Sequence, residues 1–581
     1  MRKTLSRVAV AGLLVATLSV AAVPQAAQER FERSVTALTT HGFALEKREL
    51  QDAQGRYWLR LNKAKPAAEF LLQKAAGSAD PQSLERLSEA LQGLGLELEV
   101  KWAPFMKGTP GSVAAYLLPK PGRESSVLGR LMQAHKIAAT LDYDTSGTLK
   151  RIALRPLDEK ILKGESRGRL LVADTALDLG SEGNATEAFR LHSGQLGLSI
   201  EDANGTVDLS MKDLVCGSAL DARGLGARSC RVGEASAAVD EKGTAGRERN
   251  VLKLEGLALR SRIVAKDQTV QTLIDGSLAR VSLLGLGGGT DLNMTLSDLK
   301  LRGEAGGIPE ALYRQMLALA KTPPADSREA LEKLKPILPR LFAHLLVSYR
   351  VEVGAVQGHL EQPALDERTD LALRGLRLGL DWRVEKEMGF AKSLSLDSVA
   401  LTQRKGGHET IGAKLDGASL GVALEGIENV LPDLMRLMLE NTKSADGKLD
   451  KKSQEALQQF GLRLLQHGMT LRIDPARFRR LEVRQPGMTE SLGETDLQLR
   501  VQLMPNKLDP RNPMAPMLAL ASLQARGHLV LGKKDLEKIL PLLDPGMQAM
   551  ARHFVRYEGE KARFDLRFDQ GNLLINGKPL Q

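Results

Sequence analysis

Strict alternation of apolar and polar residues constrains the fold of this 581-residue chain more than any other feature of its sequence. In the clearest case Leu94, Leu96, Leu98, Val100 and Trp102 alternate with glycine and charged residues. Successive side chains of a β-strand point to opposite faces, so this pattern predicts a strand with one buried and one solvated face. Strands of that kind build antiparallel sheets, and the sequence therefore predicts long antiparallel meanders.

Turn residues join several of these strands. Asp202-Ala-Asn204-Gly205 connects two alternating segments, and Asn-Gly is typical of a hairpin because both residues accept positive φ. A second hairpin is predicted from Ile137 through Asp144–Gly147 to Leu149. Between Leu373 and Leu376 the alternation changes phase, which predicts a β-bulge near Gly375.

Three segments predict a helical hairpin that leads into a strand: residues 66–102, 308–354 and 427–474. Asp326 and Glu329 have the spacing of a capping box, and Pro336 and Pro339 are expected to break or bend the helix that contains them. The predicted fold class is α+β, with extended, curved antiparallel β-sheets (meanders) faced by amphipathic helical hairpins.

The N-terminal sequence predicts export from the cytosol. Residues 8–23 are uncharged and follow Arg2, Lys3 and Arg7, which is the order of a signal peptide. Sixteen residues are fewer than the ~20 of a comfortable membrane span, but Pro24 makes the best cleavage position poor. A cleaved signal peptide and an uncleaved membrane anchor both stay open. Either way we expect the body in the periplasm, free or attached to the inner membrane.

The predicted domain borders follow these segments. Residues 1–28 are the signal peptide or anchor, 29–157 an N-terminal α+β region, and 158–306 a β-rich region with a disulfide loop. Residues 307–581 are predicted to hold helical hairpins and an antiparallel sheet that ends in a β-hairpin.

The cysteines and the charged residues limit the kinds of ligand and partner that the sequence predicts. Cys216 and Cys230 are the two cysteines of the chain; their spacing fits no metal or redox motif, so they predict a structural disulfide in an oxidising compartment. The net charge of +10 comes from 81 basic and 71 acidic residues that are interspersed, which is typical of a solvated surface and gives no basis for nucleic-acid binding.

Motifs for catalysis or cofactors are weak. Gly417–Gly421 matches Gly-x-Ser-x-Gly around Ser419, but the residues after it favour a strand rather than the helix of a nucleophile elbow. The glycine run 284–290 lacks the ending of a phosphate loop and predicts a turn, and Glu97 and Glu99 are expected on a solvated face. We expect no enzyme activity, no cofactor and no metal.

The C-terminal segment carries a family resemblance. Phe564, Leu566 and Phe568 alternate with charges, a turn follows around Gly571, and a second strand ends in Asn576-Gly577-Lys578. This hairpin resembles the ending of the YdgA-like exported proteins of Gram-negative bacteria (domain of unknown function 945), and the order of segments agrees over most of the chain. The resemblance implies an inner-membrane-anchored or periplasmic protein without an assigned enzymatic activity, and it supplies no catalytic residues.

Together these features predict a non-enzymatic cell-envelope protein. Its apolar β-sheet surface is expected to bind a lipid-like ligand or a protein; the alternative is a structural scaffold or an assembly factor for an envelope complex. An uncleaved N-terminal segment would add the inner membrane as a partner, and a homo-oligomer stays open.

Overall fold

The computed structural model of the chain describes residues 27–51, 53–69, 81–102, 110–144, 149–163, 166–180, 187–243, 246–287, 289–321, 327–441, 451–507, 509, 514, 517–518, 521–569 and 571–580. These residues form two compact units. Unit 1 contains the described residues up to Ala222 together with Arg228–Gly243, and unit 2 contains Arg223–Ala227 and the described residues from 246 onward.

Unit 1 is built on an antiparallel sheet. Each strand from β1 to β6 pairs with the next strand along the chain. Strands β6 and β7 both pair with the same edge of β8. The other edge of β8 pairs with β9, and β9 pairs with β10. Its strands are β1 (Phe43–Gln51), β2 (Gln54–Leu61), β3 (Gly95–Trp102), β4 (Pro110–Leu118), β5 (Ala138–Tyr143), β6 (Leu149–Leu154), β7 (Leu157–Lys163), β8 (Ser166–Gly180), β9 (Glu187–Asp202), β10 (Gly205–Leu220) and β11 (Gly226–Gly243), of which Arg228–Gly243 belongs to unit 1.

The main hydrophobic core lies in the first part of unit 1. Three helices belong to this part of the chain: α1 (Ala27–Thr40) precedes β1, α2 (Pro81–Leu91) precedes β3, and α3 (Val127–Gln133) lies between β4 and β5 in the sequence. Phe31 of α1 is buried and meets the rings of Tyr57 and Trp102 edge-on, with centroids 5.6 and 5.7 Å away. Leu98, from the clearest alternating segment, is fully buried in the same core. Alternation in this region thus corresponds to a sheet face covered by a helix.

Unit 2 contains a longer antiparallel meander. Pairing runs without a break from β12 to β19, continues through β22, β23, β25 and β26, and adds β20 beside β18, β21 beside β20, and β24 beside β25. The strands are β12 (Gly246–Lys266), β13 (Thr269–Gly287), β14 (Thr290–Pro309), β15 (Leu345–Gln362), β16 (Glu367–Val384), β17 (Glu387–Lys405), β18 (His408–Glu428), β19 (Met469–Phe478), β20 (Arg480–Gln485), β21 (Met488–Leu492), β22 (Thr495–Leu503), β23 (Leu523–Gly532), β24 (Arg556–Glu558), β25 (Lys561–Asp569), β26 (Asn572–Ile575) and β27 (Lys578–Pro579).

Helices of unit 2 lie in its connections. Two of these helical connections, β14 to β15 and β18 to β19, begin and end at the same edge of the sheet. Gly306 near the end of β14 lies opposite Leu346 near the start of β15, and Glu425 of β18 lies opposite Thr470 of β19. The helices are α4 (Glu310–Lys321), α5 (Ser327–Leu334), α6 (Leu338–Leu341), α7 (Leu431–Asn441), α8 (Lys451–His467), α9 (Lys533–Ile539) and α10 (Pro545–Phe554). A small core forms where α9 places Leu536 against Leu531 and Ala562.

The phase change near Gly375 has a different basis from the predicted bulge. Gly375 has φ +63° and interrupts the pairing, but Arg374 lies opposite Ser398 and Arg377 opposite Ser395, so neither strand carries an extra residue. The expected β-bulge is therefore wrong. A left-handed residue inside the strand produces the phase change without a register shift. Asp298 in β14 and Gly417 in β18 have the same conformation, with φ +54° and +61°.

Most other local predictions are confirmed. The antiparallel meanders, the Asn204-Gly205 hairpin and the C-terminal hairpin are present, and the chain leaves helical conformation between α5 and α6, at Pro336. The turn centre 145–148 and residues 70–80, 322–326 and 442–450 lie outside the described residues, as do Asp326 of the predicted capping box and the N-terminal segment 8–23. Among the helices that are described, none combines the length and the apolar character needed to cross a bilayer.

Candidate functional site

One face of the unit 2 sheet carries a continuous apolar surface, here called the apolar face. One cross-strand row of this face contains one residue from each of the five strands β14 to β18, in the strand halves that are nearer to the helical connections. Its members lie directly opposite one another in the order Leu301, Val351, Leu378, Leu394 and Leu420. Directly opposite residues of antiparallel strands share a face. A parallel row two residues away contains Leu299, Val353, Leu376, Leu396 and Ala418.

The apolar face extends into the C-terminal strands. Leu424 of β18 lies opposite Leu471 of β19, which lies opposite Val501 of β22. The same row continues through Ala525 of β23 to Phe568 of β25. The apolar face thus crosses nine strands, from β14 to β25, without a change of side.

Side chains at the centre of the apolar face are open to solvent. Leu378, Leu394 and Leu420 keep 40%, 38% and 43% of their surface exposed although an apolar residue lies directly opposite each of them on both neighbouring strands. Because these leucines are so exposed, no described segment covers them. Contiguous exposed apolar surface on a soluble domain usually marks a binding surface.

The reverse face of the C-terminal strands carries four directly opposite arginines, here called the arginine row. Arg472 of β19 lies opposite Arg500 of β22, Arg500 opposite Arg526 of β23, and Arg526 opposite Arg567 of β25. All four side chains are exposed. Each follows or precedes a residue of the apolar face, so the two surfaces lie on opposite sides of the same strands.

The two outer arginines of the row form ion pairs with carboxylates, whereas the two central ones do not within the described residues. Arg472 is 3.2 Å from Glu425, and Arg567 is 3.4 Å from Asp569. Arg500 donates a hydrogen bond to the side-chain oxygen of Gln502 at 3.4 Å. Arg526 makes no hydrogen bond or ion pair with the part of the chain that the structure describes. The two central guanidinium groups are therefore unneutralised within the described sheet.

Comparison of the sequence with protein-family models and with curated proteins finds no match. The resemblance to the YdgA-like proteins therefore stays a prediction.

The predicted disulfide is present. Cys216 of β10 is bonded to Cys230 of β11. The same two strands are also joined by a hydrogen bond between the hydroxyl groups of Ser210 and Ser236, at 2.8 Å. The bridge is thus a cross-strand staple within unit 1 rather than part of a metal or redox centre.

The weak sequence motifs are parts of the meander. Gly417–Gly421 lies wholly inside β18, which continues to Glu428, so no strand-to-helix turn presents Ser419. The Ser419 hydroxyl accepts a hydrogen bond from Nε of Arg477 at 3.1 Å. The glycine run 284–290 includes the turn between β13 and β14, where Gly287 pairs opposite Thr290. No group of three or more potential metal ligands occurs among the described residues.

Glu97 differs from the expectation of a solvated carboxylate. It is 6% exposed, and its Oε2 lies 3.0 Å from Nε2 of His135, whose ring stacks on Tyr116. Glu99 is more open: Arg56 donates a hydrogen bond to it at 2.8 Å, and this bond holds the pKa of Glu99 below its usual value. The alternating pattern could not predict the pairing of Glu97 with His135, because His135 follows α3 and lies outside the alternating segment.

Proposed function

We propose that this protein is a non-enzymatic, periplasm-facing cell-envelope protein whose apolar face binds a lipid-like molecule. The observation that carries the proposal is the exposure of Leu378, Leu394 and Leu420 in one cross-strand row. Covering the open part of each leucine would contribute about 1 kcal/mol. A ligand that contacts many of these side chains at once thus gains its affinity from burial.

The dimensions of the row fit an acyl chain. Five strands at a spacing of about 4.8 Å give a row about 19 Å long from Leu301 to Leu420. One acyl chain fills about half of a hydrocarbon core that is ~30 Å thick. The row is therefore long enough for one extended chain, and the parallel row of Leu376 and Leu396 offers room beside it for a second chain.

A basic group lies where a lipid headgroup would need it. Lys392 is on the apolar face, two residues from Leu394 and directly opposite Leu380, with its ammonium group 5.2 Å from the centre of the Phe390 ring. Lys392 lies between Leu394 and Phe390 on this face, and its long side chain lets the ammonium group hold a phosphate while the acyl chain lies on the leucines. Helical connections lie beyond this end of the strands, and we propose that their amphipathic helices close the apolar face there.

The periplasmic location is part of the proposal. Three features support it: the apolar N-terminal segment after basic residues, the Cys216–Cys230 disulfide, and the YdgA-like C-terminal sequence. Disulfides persist in oxidising compartments. A protein with this surface in the periplasm meets lipids from two membranes.

Native mass spectrometry of protein purified from membranes tests the proposal. We expect bound lipid in the wild-type protein and its loss in Leu378→Gln/Leu394→Gln. The matched control is Arg377→Gln/Ser395→Gln, a directly opposite pair on the other face of the same two strands, and it should keep the lipid. Wild-type protein free of lipid, or equal loss in both variants, would contradict the proposal; a stoichiometric protein partner in place of lipid would favour an assembly factor.

A further inference from the structure

We propose that the arginine row docks unit 2 on an anionic lipid bilayer, with Arg500 and Arg526 binding lipid phosphate groups. This inference rests on the proposed function, because a protein that takes up lipid on its apolar face has to reach a membrane surface. The arginine row lies on β19, β22, β23 and β25, on the face opposite to the apolar face.

Four like charges in consecutive strands need an explanation. Like charges directly opposite in an antiparallel pair destabilise the sheet, and the arginine row contains three such contacts. Glu425 and Asp569 offset the outer arginines, but Arg500 and Arg526 have no carboxylate partner among the described residues. An arrangement that costs stability in the free protein is expected where an external anion completes it.

The same sheet contains a matched pair that is neutralised internally. Arg368 of β16 lies directly opposite Arg404 of β17, and both reach Asp370, at 3.1 and 3.5 Å. Burial tends to raise the pKa of Asp370, but hydrogen bonds from Arg368 and His359 outweigh it and lower the pKa. At this position the chain supplies the anion itself. At Arg500 and Arg526 it supplies amides instead, from Gln502 opposite Gln524 in the next row.

Phosphate is the anion that this arrangement suits. The planar guanidinium donates two parallel hydrogen bonds to a phosphate, and the neighbouring amides of Gln502 and Gln524 add further donors. Neighbouring arginines are set about 5 Å apart by the strand spacing. Lipids move laterally in a bilayer, so their phosphates can adopt this spacing, whereas a polymer with a fixed repeat would have to match it.

Nucleic acid fits the arginine row less well. Single-stranded nucleic acid stacks its bases on aromatic side chains. The positions on either side of Arg500 and Arg526 on this face are Gln498, Gln502, Gln524 and His528, and His528 is engaged with Asp565 at 2.6 Å. The face therefore offers charge and amides but lacks a stacking platform at these positions.

Vesicle co-sedimentation of the full-length protein tests the inference. Vesicles of phosphatidylcholine alone measure any insertion of the N-terminal segment, and vesicles mixed with phosphatidylglycerol add the negative charge. Each arginine near an anionic membrane is worth about a fivefold gain in partitioning, so Arg500→Gln/Arg526→Gln should lower binding to the mixed vesicles by about 25-fold. Raising the salt to about 1 M, where the Debye length is ~3 Å, should abolish the difference.

The control variant is Arg368→Gln/Arg404→Gln, which removes the same two charges from a pair that already has its carboxylate. It should bind the mixed vesicles nearly as well as the wild type. Equal loss in both variants would assign binding to net charge and overturn the inference, as would equal wild-type binding to both vesicle types or binding of a single-stranded oligonucleotide in preference to vesicles.

Two further readouts separate the possible failures. Arg500→Gln/Arg526→Gln should melt at or above the wild-type temperature, because it removes a like-charge contact, so loss of binding cannot come from unfolding. When lipid is supplied in detergent, without a membrane surface, its lipid content by native mass spectrometry should equal that of the wild type, because its apolar face is unaltered. Lipid in the wild type without vesicle binding would overturn the docking inference alone, whereas charge-dependent vesicle binding without bound lipid would contradict the proposed function alone.

Discussion

Leu378 and Leu394 lie directly opposite each other on β16 and β17, and both keep about two fifths of their surface exposed. In unit 1, by contrast, Leu98 comes from an equally regular alternating segment and is fully buried in the core to which α1 contributes Phe31. The same sequence pattern therefore produces two different surfaces. The difference between them is whether a second layer covers the sheet.

This contrast predicts unequal costs for the same substitution. Leu98→Ala should lower the free energy of unfolding of unit 1 by about 2–5 kcal/mol, since it leaves a cavity in a packed core. Leu394→Ala should cost about 1 kcal/mol or less, because its side chain is already part exposed. Denaturant titrations of the two variants measure the difference, and a larger cost for Leu394→Ala would mean that the apolar face is covered in solution.

The left-handed residue of β16 predicts a sensitive position at Gly375. With φ +63°, and with a Cβ placed 2.0 Å from Oδ2 of Asp397, Gly375→Ala should destabilise unit 2 by about 1–3 kcal/mol. Gly389 of β17 is the matched control, because a Cβ there meets no atom within 4 Å. Gly389→Ala should change stability by no more than about 0.5 kcal/mol. Equal melting temperatures for the two variants would refute this account of the phase change.

The cross-strand disulfide predicts a stability that depends on redox conditions. Cys216→Ser/Cys230→Ser should lower the free energy of unfolding of unit 1 by about 3 kcal/mol, the value that the chain-entropy model gives for a loop of ~15 residues. Reductant should lower the denaturation midpoint of the wild type and leave that of the variant unchanged. A wild-type midpoint indifferent to reductant would argue against a stabilising bridge.

Tyr57 predicts an alkaline transition in unit 1. Burial disfavours its phenolate, and the Glu32 carboxylate 3.5 Å away adds to this effect, which raises the pKa of Tyr57 to about 12. Because the pKa is higher in the folded than in the unfolded chain, the stabilisation is complete below about pH 10 and is lost as the pH rises through 12. Ultraviolet difference spectra should show this late step and its absence in Tyr57→Phe, with Tyr557→Phe as an exposed control. A Tyr57 step near pH 10 would contradict the burial argument.

Local pattern accounts for the strands and turns but not for what the strands do together. The alternation around Leu98 and around Leu378 is alike, so the sequence predicts β-structure for both and cannot say which one a helix covers. Turn chemistry located the hairpin at Asn204-Gly205 because those two residues decide its backbone. Phase change alone could not separate a bulge from a left-handed residue at Gly375, since both move the apolar residues by one position.

Register decides the two proposed surfaces, and register was not predictable here. Arg472, Arg500, Arg526 and Arg567 come from four strands whose alignment depends on loop lengths and on the interruption of β19 between Ile473 and Ala476. A single arginine on a polar strand face is ordinary; the row exists because the four strands align it. The one signal in the sequence is that each of the four alternating segments has an arginine at a polar position.

Site-specific photocrosslinking tests the central claim most directly. A photoreactive amino acid placed at Leu394 should form lipid adducts in cells, while the same amino acid at the adjacent Ser395, on the other face of β17, should form few or none. Mass spectrometry of the purified protein identifies the adducts. Lipid adducts at Leu394 alone are the predicted result, and protein adducts, or none, at Leu394 would contradict a lipid-binding apolar face.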